Sequence, residues 1–126
     1  VVTGGPDERA LTAHVAGAHG VDLGGRTTLA QLAGVLRGAQ AVVVGNTGPA
    51  HLAAALGAPV VSLFSPVVPA HKWAPYTDRL LVLGDQYAAC AQTRARECPV
   101  AGHPCLRSVG PRDVLAAVET LTRVVA

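Results

Sequence analysis

The stretch VVVGNTGPAHLAAALGAPVVSLFSP, Val42–Pro66, decides the fold. A β-branched apolar run ends at Gly45, and Pro49 then opens an Ala-rich segment that Gly57 closes, with Pro59 just beyond. Those are the start and stop signals of a helix. A second apolar run, Val60–Phe64, follows at once. Strand, turn, helix, strand is the repeating unit of a parallel α/β sheet. The turn itself is unusual, because it packs Asn46, Thr47, Gly48 and His51 between a buried strand and a helix. Glycines at 45 and 48 permit close backbone approach. A helix start offers free amides and the positive end of the helix dipole, and Thr47 and His51 can add donors. A phosphate or diphosphate suits such a turn. A structural alternative stands beside it, with Thr47 as a helix cap and His51 bonded to a neighbouring loop.

Working outward, Val1–Thr3 reads as the end of a buried strand, with Gly4 and Gly5 forming the turn after it. A helix is expected from Pro6 to about His19, with Leu11, Val15 and Ala18 on its inner face and the acids Asp7 and Glu8 at its N-terminus. Val21–Leu23 reads as a short strand. Thr27 or Thr28 caps the next helix, whose stripe is Leu29, Leu32, Ala33 and Leu36. Ala41–Gly45 is expected to be a strand buried on both faces. Downstream, a Pro-rich loop precedes a strand at Leu80–Leu83. The irregular stretch Gly84–Gly110 carries all three cysteines. Pro111 starts a final helix with Val114, Leu115, Val118, Leu121 and Val125 inward.

Composition narrows the classes of function. Of 126 residues, 50% are hydrophobic and 14% charged, which excludes a disordered chain and supports one domain with a real core. No apolar run approaches the ~18 residues of a membrane helix. A net charge of +2 with scattered basic residues is no nucleic-acid footprint. Arg94, Arg96 and Arg107 share one loop and read as a solvated surface. Three cysteines fit a reducing compartment better than a disulfide framework. Cys90, Cys98, Cys105 and His103 lack the C-x-x-C spacing of a zinc site, so no metal is expected and the thiols read as loop packing. Ser62 and Ser65 have no evident base, His14 and His19 sit on a surface helix, and Trp73 reads as an anchor for its loop. No G-x-G-x-x-G follows a strand, which disfavours a nicotinamide-dependent oxidoreductase.

Taken in order, VVTGGPDE, DLGGRTTLAQLAGVLRGAQAVVVGNTGPAHLAAALGAPVVSLFSP, APY and ECPVAGHPCLRSVGPRDVLAAV resemble the ADP-heptose:lipopolysaccharide heptosyltransferase family, in its C-terminal half and over nearly the whole chain. The resemblance implies the Rossmann-like parallel sheet of a GT-B glycosyltransferase, a single donor-binding domain over residues 1–126. It implies an inverting enzyme with no metal and no cofactor, and a nucleotide-sugar, an ADP-sugar above all, as donor substrate. Glu8 matches a donor-binding acid directed at the nucleoside, and Thr27 lies at a turn expected to touch the adenine through its backbone. Thr47, Gly48 and His51 match the family's Asp-Thr-Gly-x-x-His motif, facing diphosphate and sugar. The Asp of that motif is Asn46 here, which keeps an acceptor oxygen, loses the charge and gains two donors. Gly5 and Lys72 are further candidate contacts.

The resemblance also implies an N-terminal domain, with the acceptor site and a general base, outside these residues. The first strand and helix of the donor domain are expected to lie outside them too. This chain is then a donor half-site, inactive alone, working with a glycan or glycolipid acceptor in the cytoplasm or at the inner membrane face in lipopolysaccharide biosynthesis. A non-catalytic nucleotide- or sugar-phosphate-binding module is the alternative.

Overall fold

The computed structural model describes residues 1–123, so the inward assignment of Val125 lies outside the described residues. The chain divides into two compact units, Val1–Val35 and a second from Leu36 onward.

In the first unit, Pro6–Glu8 forms a 3₁₀ turn that runs into helix α1, Arg9–Ala16. The Glu8 carboxylate accepts the Gly5 N–H at 2.7 Å, the reciprocal half of a capping box, so the acid at the helix start satisfies an orphan donor. Gly17, at φ +55°, ends α1 three residues before the expected His19. The helix is also rotated from expectation. Leu11 and Val15 are exposed, Ala18 lies outside the helix, and Thr12 and Ala16 are buried instead.

Sterics explain that rotation. Thr12 sits where a β-carbon on Gly4 or Gly24 would collide with it, so two backbone segments close over this small side chain as they could not over leucine. Val1–Thr3 and Val21–Leu23 make only an isolated parallel bridge, Val2 with Asp22, and Val1 and Val21 are exposed. A two-strand contact with one bridge has too few ladder bonds to count as a buried strand pair. Helix α2, Leu29–Arg37, is capped by Thr28: its Oγ1 accepts the Gln31 N–H at 3.3 Å, and Gln31 Oε1 accepts the Thr28 N–H at 2.9 Å. Leu36 is buried and Leu32 and Ala33 half-buried, but Leu29, on the first turn, is exposed.

The second unit is an α/β sheet of three parallel strands flanked by helices, in the order β1 (Val42–Gly45), β2 (Val60–Leu63), β3 (Leu80–Leu83). The register runs Val42, Val60, Leu80 across the start and Gly45, Leu63, Leu83 across the carboxyl end. Only β2 has a neighbour on both sides, and Val60, Val61 and Ser62 are fully buried. Strand β1 has one neighbour, and Val43 is 46% exposed, so the strand is not buried on both faces. Helix α3, Gly48–Ala55, packs on β1 and β2 through Ala50 and Ala53, neither of which has any exposure. Alanine lets this helix lie close to the sheet, and Gly57 at φ +78° turns the chain back into β2.

The Pro-rich connection is not wholly irregular, since it contains one helical turn, α4, Ala70–Trp73. Trp73 is 53% exposed and is no buried anchor. The 84–110 connection contains another turn, α5, Pro104–Arg107. Helix α6, Pro111–Thr122, is capped by Asp113, whose carboxylate accepts the Gly110 N–H at 2.7 Å, and it packs on β2 and β3. Ala117 is its buried residue, with Val114, Val118 and Leu121 half-buried and Leu115 exposed. The inner face is therefore shifted toward the smaller side chain here too. Among the described residues no helix is long and apolar enough to cross a membrane.

Candidate functional site

Because the three strands are parallel, the chain leaves all of them at one edge. The β1–α3 turn, the loop after β2 and the loop after β3 therefore lie along the same carboxyl edge, where open α/β sheets take ligands. The edge is stiffly built. Gln86 Nε2 donates to the carbonyls of Phe64 (3.0 Å) and Gly84 (3.2 Å), and the Asp85 N–H donates to Cys105 O at 2.9 Å. Gly84 holds φ +125°, and a β-carbon there would lie 2.6 Å from Phe64 O, so the approach of the two strand ends requires glycine.

The β1–α3 turn carries four of the sequence-predicted residues. Thr47 is the N-cap position of α3, with extended backbone. It does not cap through its side chain: the hydroxyl donates to Gly45 O at 3.4 Å, and the Thr47 N–H donates to the same carbonyl at 2.8 Å. Its own carbonyl accepts the Ala50 N–H at 3.0 Å. Pro49 has no N–H to give. The turn thus narrows the expected bundle of free amides. The Gly48 and Asn46 N–H groups keep no partner among the described residues. Asn46 is half-buried with its carboxamide unbonded by the described residues, and Thr47, Gly48 and His51 are exposed. His51, in the first turn of α3, makes no side-chain hydrogen bond there either, so the neighbouring-loop alternative finds no support.

Gly48 sharpens the picture. A β-carbon on it would meet no heavy atom within 4 Å, and its φ is not positive. Packing within the chain does not demand glycine at this position.

The other predicted residues lie elsewhere. In the first unit, Glu8 is engaged with Gly5 as a helix cap, and the Gly5 N–H is consumed by that bond. Thr27 is half-buried just before the α2 cap, with no hydrogen bond to its amide among the described residues. Also in the first unit, the Asp22 carboxyl is held below the usual range by the Gly24 N–H (2.9 Å), then by the Thr12 hydroxyl, with Arg26 and Arg9 adding to it. Lys72 is exposed on α4. Two hollows are lined by residues outside the β1–α3 turn. One of about 580 Å³ is formed by Ala70–Asp78 alone, and one of about 310 Å³ by Ser65, Val67 and the cysteine loop. Among the described residues no three His, Cys, Asp or Glu side chains are grouped to hold a metal ion.

The sequence model of Glycosyltransferase family 9 (heptosyltransferase) matches residues 1–103. The chain belongs to that family. Its sequence is 42% identical over 73 residues to Lipopolysaccharide heptosyltransferase 1 of Pseudomonas aeruginosa, a match covering 58% of this chain and 20% of that protein. Its fold matches the glycosyl transferase family 9 structure from Veillonella parvula with a TM-score of 0.76 at 22% identity, over 95% of this chain and 35% of that one. The chain therefore spans only a fraction of each relative's length. This family 9 chain presents the three-stranded parallel sheet flanked by helices as a portion of the larger family fold.

Proposed function

We propose that this family 9 chain supplies the donor diphosphate site of a nucleotide-sugar-dependent, heptosyltransferase-like glycosyl transfer. The observation that carries the reading is the β1–α3 turn. The unpaired Gly48 N–H stands at the positive end of α3, beside the exposed Thr47 and His51, with no side chain on Gly48 to block an approaching oxyanion. On this reading the Gly48 and Asn46 amides and the His51 imidazole donate to diphosphate oxygens. The same donors stabilise the charge that grows on the departing diphosphate as the glycosidic bond forms.

The chemistry asked of this chain is electrostatic and positional, with no covalent intermediate and no metal. The acceptor hydroxyl loses its proton to a base supplied from outside these residues, and attack from the opposite face inverts the anomeric carbon. The relative's name, Lipopolysaccharide heptosyltransferase 1, supplies a candidate setting, heptose transfer in lipopolysaccharide synthesis; a glycolipid acceptor, and a place in the cytoplasm or at the inner membrane face, complete the proposal. Asn46, in place of the motif's acid, favours a second reading, a module that binds a nucleotide or sugar phosphate without turnover.

Calorimetry with ADP, UDP, GDP and their sugars tests the site. Binding selective for ADP species, lost in His51→Ala, is the expected result; affinity unchanged in that variant sinks it. Addition of a separately produced N-terminal family 9 domain then separates the readings. Sugar transfer supports the enzyme, and binding without transfer supports the module.

A further inference from the structure

The 84–110 connection holds two buried groups that neither the sheet nor the proposed transfer uses. Cys90 is 1% exposed and Cys105 4%, both are free thiols, and they pack together with Ala88 under Val67 and Val100. A cavity of about 310 Å³ is lined by both residues, with Ser65, Arg96, Cys98 and His103 among the rest of its wall. Backbone bonds tie the same connection to the segment leaving β2: the Gln92 N–H donates to Pro66 O (2.8 Å) and the Arg94 N–H to Val67 O (2.9 Å). Joining residues 90 and 105 would fasten both ends of this excursion over the carboxyl edge.

We propose that Cys90 and Cys105 are a dithiol–disulfide pair, oxidised by hydrogen peroxide entering through this cavity, and that the bridge pins the 84–110 connection onto the edge of the sheet. Cys105, the more exposed of the two, is the attacking thiol, while burial, with Cys105 beside it, pushes the Cys90 thiol up and slows its ionisation. Its sulfur attacks the peroxide, the O–O bond breaks, and one oxygen stays on Cys105 as a sulfenic acid while the other leaves as water. The Cys90 sulfur then displaces the sulfenic oxygen, which departs with the Cys90 proton as a second water. Two thiols are oxidised to one disulfide, and one peroxide is reduced to two waters. Cys98 is exposed and its thiol donates to Val100 O at 3.1 Å, so it is the competing thiol and lies outside the pair.

The test is covalent and does not depend on the donor-site reading. The wild-type chain and Cys98→Ser are treated with stoichiometric hydrogen peroxide without denaturant, alkylated and mapped by peptide mass. The expected product in both is a peptide pair joined through Cys90 and Cys105, opened by dithiothreitol, with a higher unfolding temperature than the reduced chain. The wild-type map alone suffices should the variant not fold. Both buried thiols still alkylated after Cys98 has been consumed would overturn the proposal. So would sulfinic acid without a bridge, or pairing that needs urea.

Discussion

Gly48→Ala separates what the fold needs at the β1–α3 turn from what a ligand needs. The added β-carbon meets nothing within 4 Å in the protein, and the residue has no positive φ to strain. Replacing glycine at a compatible position is worth about 0.4–1 kcal/mol through the unfolded chain. Against that, residue 48 precedes Pro49, and a β-carbon before proline is disfavoured in helical backbone. The two effects oppose, so the unfolding free energy should move by less than about 1 kcal/mol, a Tm change within roughly 4 °C. The amide N–H survives the substitution. A diphosphate seated on it, however, would meet the new methyl group, and a loss of tenfold or more in affinity corresponds to at least about 1.4 kcal/mol. Thermal unfolding by circular dichroism and titration with ADP measure both sides on the same preparation. Unchanged ADP affinity in a stably folded variant would refute the claim that Gly48 is the point of closest approach.

At the opposite extreme, Gly84→Ala should cost about 2–4 kcal/mol, because its β-carbon would lie 2.6 Å from Phe64 O at φ +125°; a Tm within a degree or two of wild type would contradict that. Ser62→Ala removes a fully buried hydroxyl with no hydrogen-bond partner among the described residues. It should be neutral or stabilising by up to about 1 kcal/mol in urea denaturation, and a clear loss would point to a missed partner. The Asp22 carboxyl is lowered by the Gly24 N–H, so its stabilising contribution is complete above the ordinary aspartate value near pH 4. It is lost as pH falls through the lower folded-state value. Asp22→Asn should flatten that part of the acid unfolding curve, and an unchanged curve would remove Asp22 from the account.

Punctuation in the sequence located the elements of the second unit well. Strand β3 falls at Leu80–Leu83 as expected, and Pro49, Gly57 and Pro111 mark their helix ends to within a residue or two. Which face turns inward was less legible. Leu11 with Val15 and Thr12 with Ala16 are both i, i+4 pairs, and periodicity alone favours the larger pair. The structure buries the smaller one because Gly4 and Gly24 bring backbone against that side of α1. Leu115 and Ala117 repeat the lesson on α6. A sheet of three strands has room over its single central strand, and small side chains win where backbone comes close. The half-exposed β1 was missed for a related reason, since an apolar run cannot say whether its strand has one neighbour or two.

The site was legible as chemistry and less so as geometry. The sequence supplied Asn46, Thr47, Gly48 and His51 in the order a diphosphate turn would use, but it could not show which amides the turn spends on itself. Gly45 O takes the Thr47 N–H and hydroxyl, and Thr47 O takes the Ala50 N–H. With Pro49 contributing none, the donors that the proposed diphosphate site draws on are the Asn46 and Gly48 amides and the His51 ring. So small a set makes the Asn46 departure weightier. A family acid at this position would place a negative charge beside the few donors that remain, so it must earn its place through sugar hydroxyls or a cationic transition state. Asparagine removes the repulsion toward diphosphate while keeping an acceptor. Asn46→Asp should therefore weaken binding of ADP itself, and any gain from the acid should show only with the intact nucleotide-sugar. Tighter ADP binding in that variant would mean that residue 46 does not face the phosphates at all.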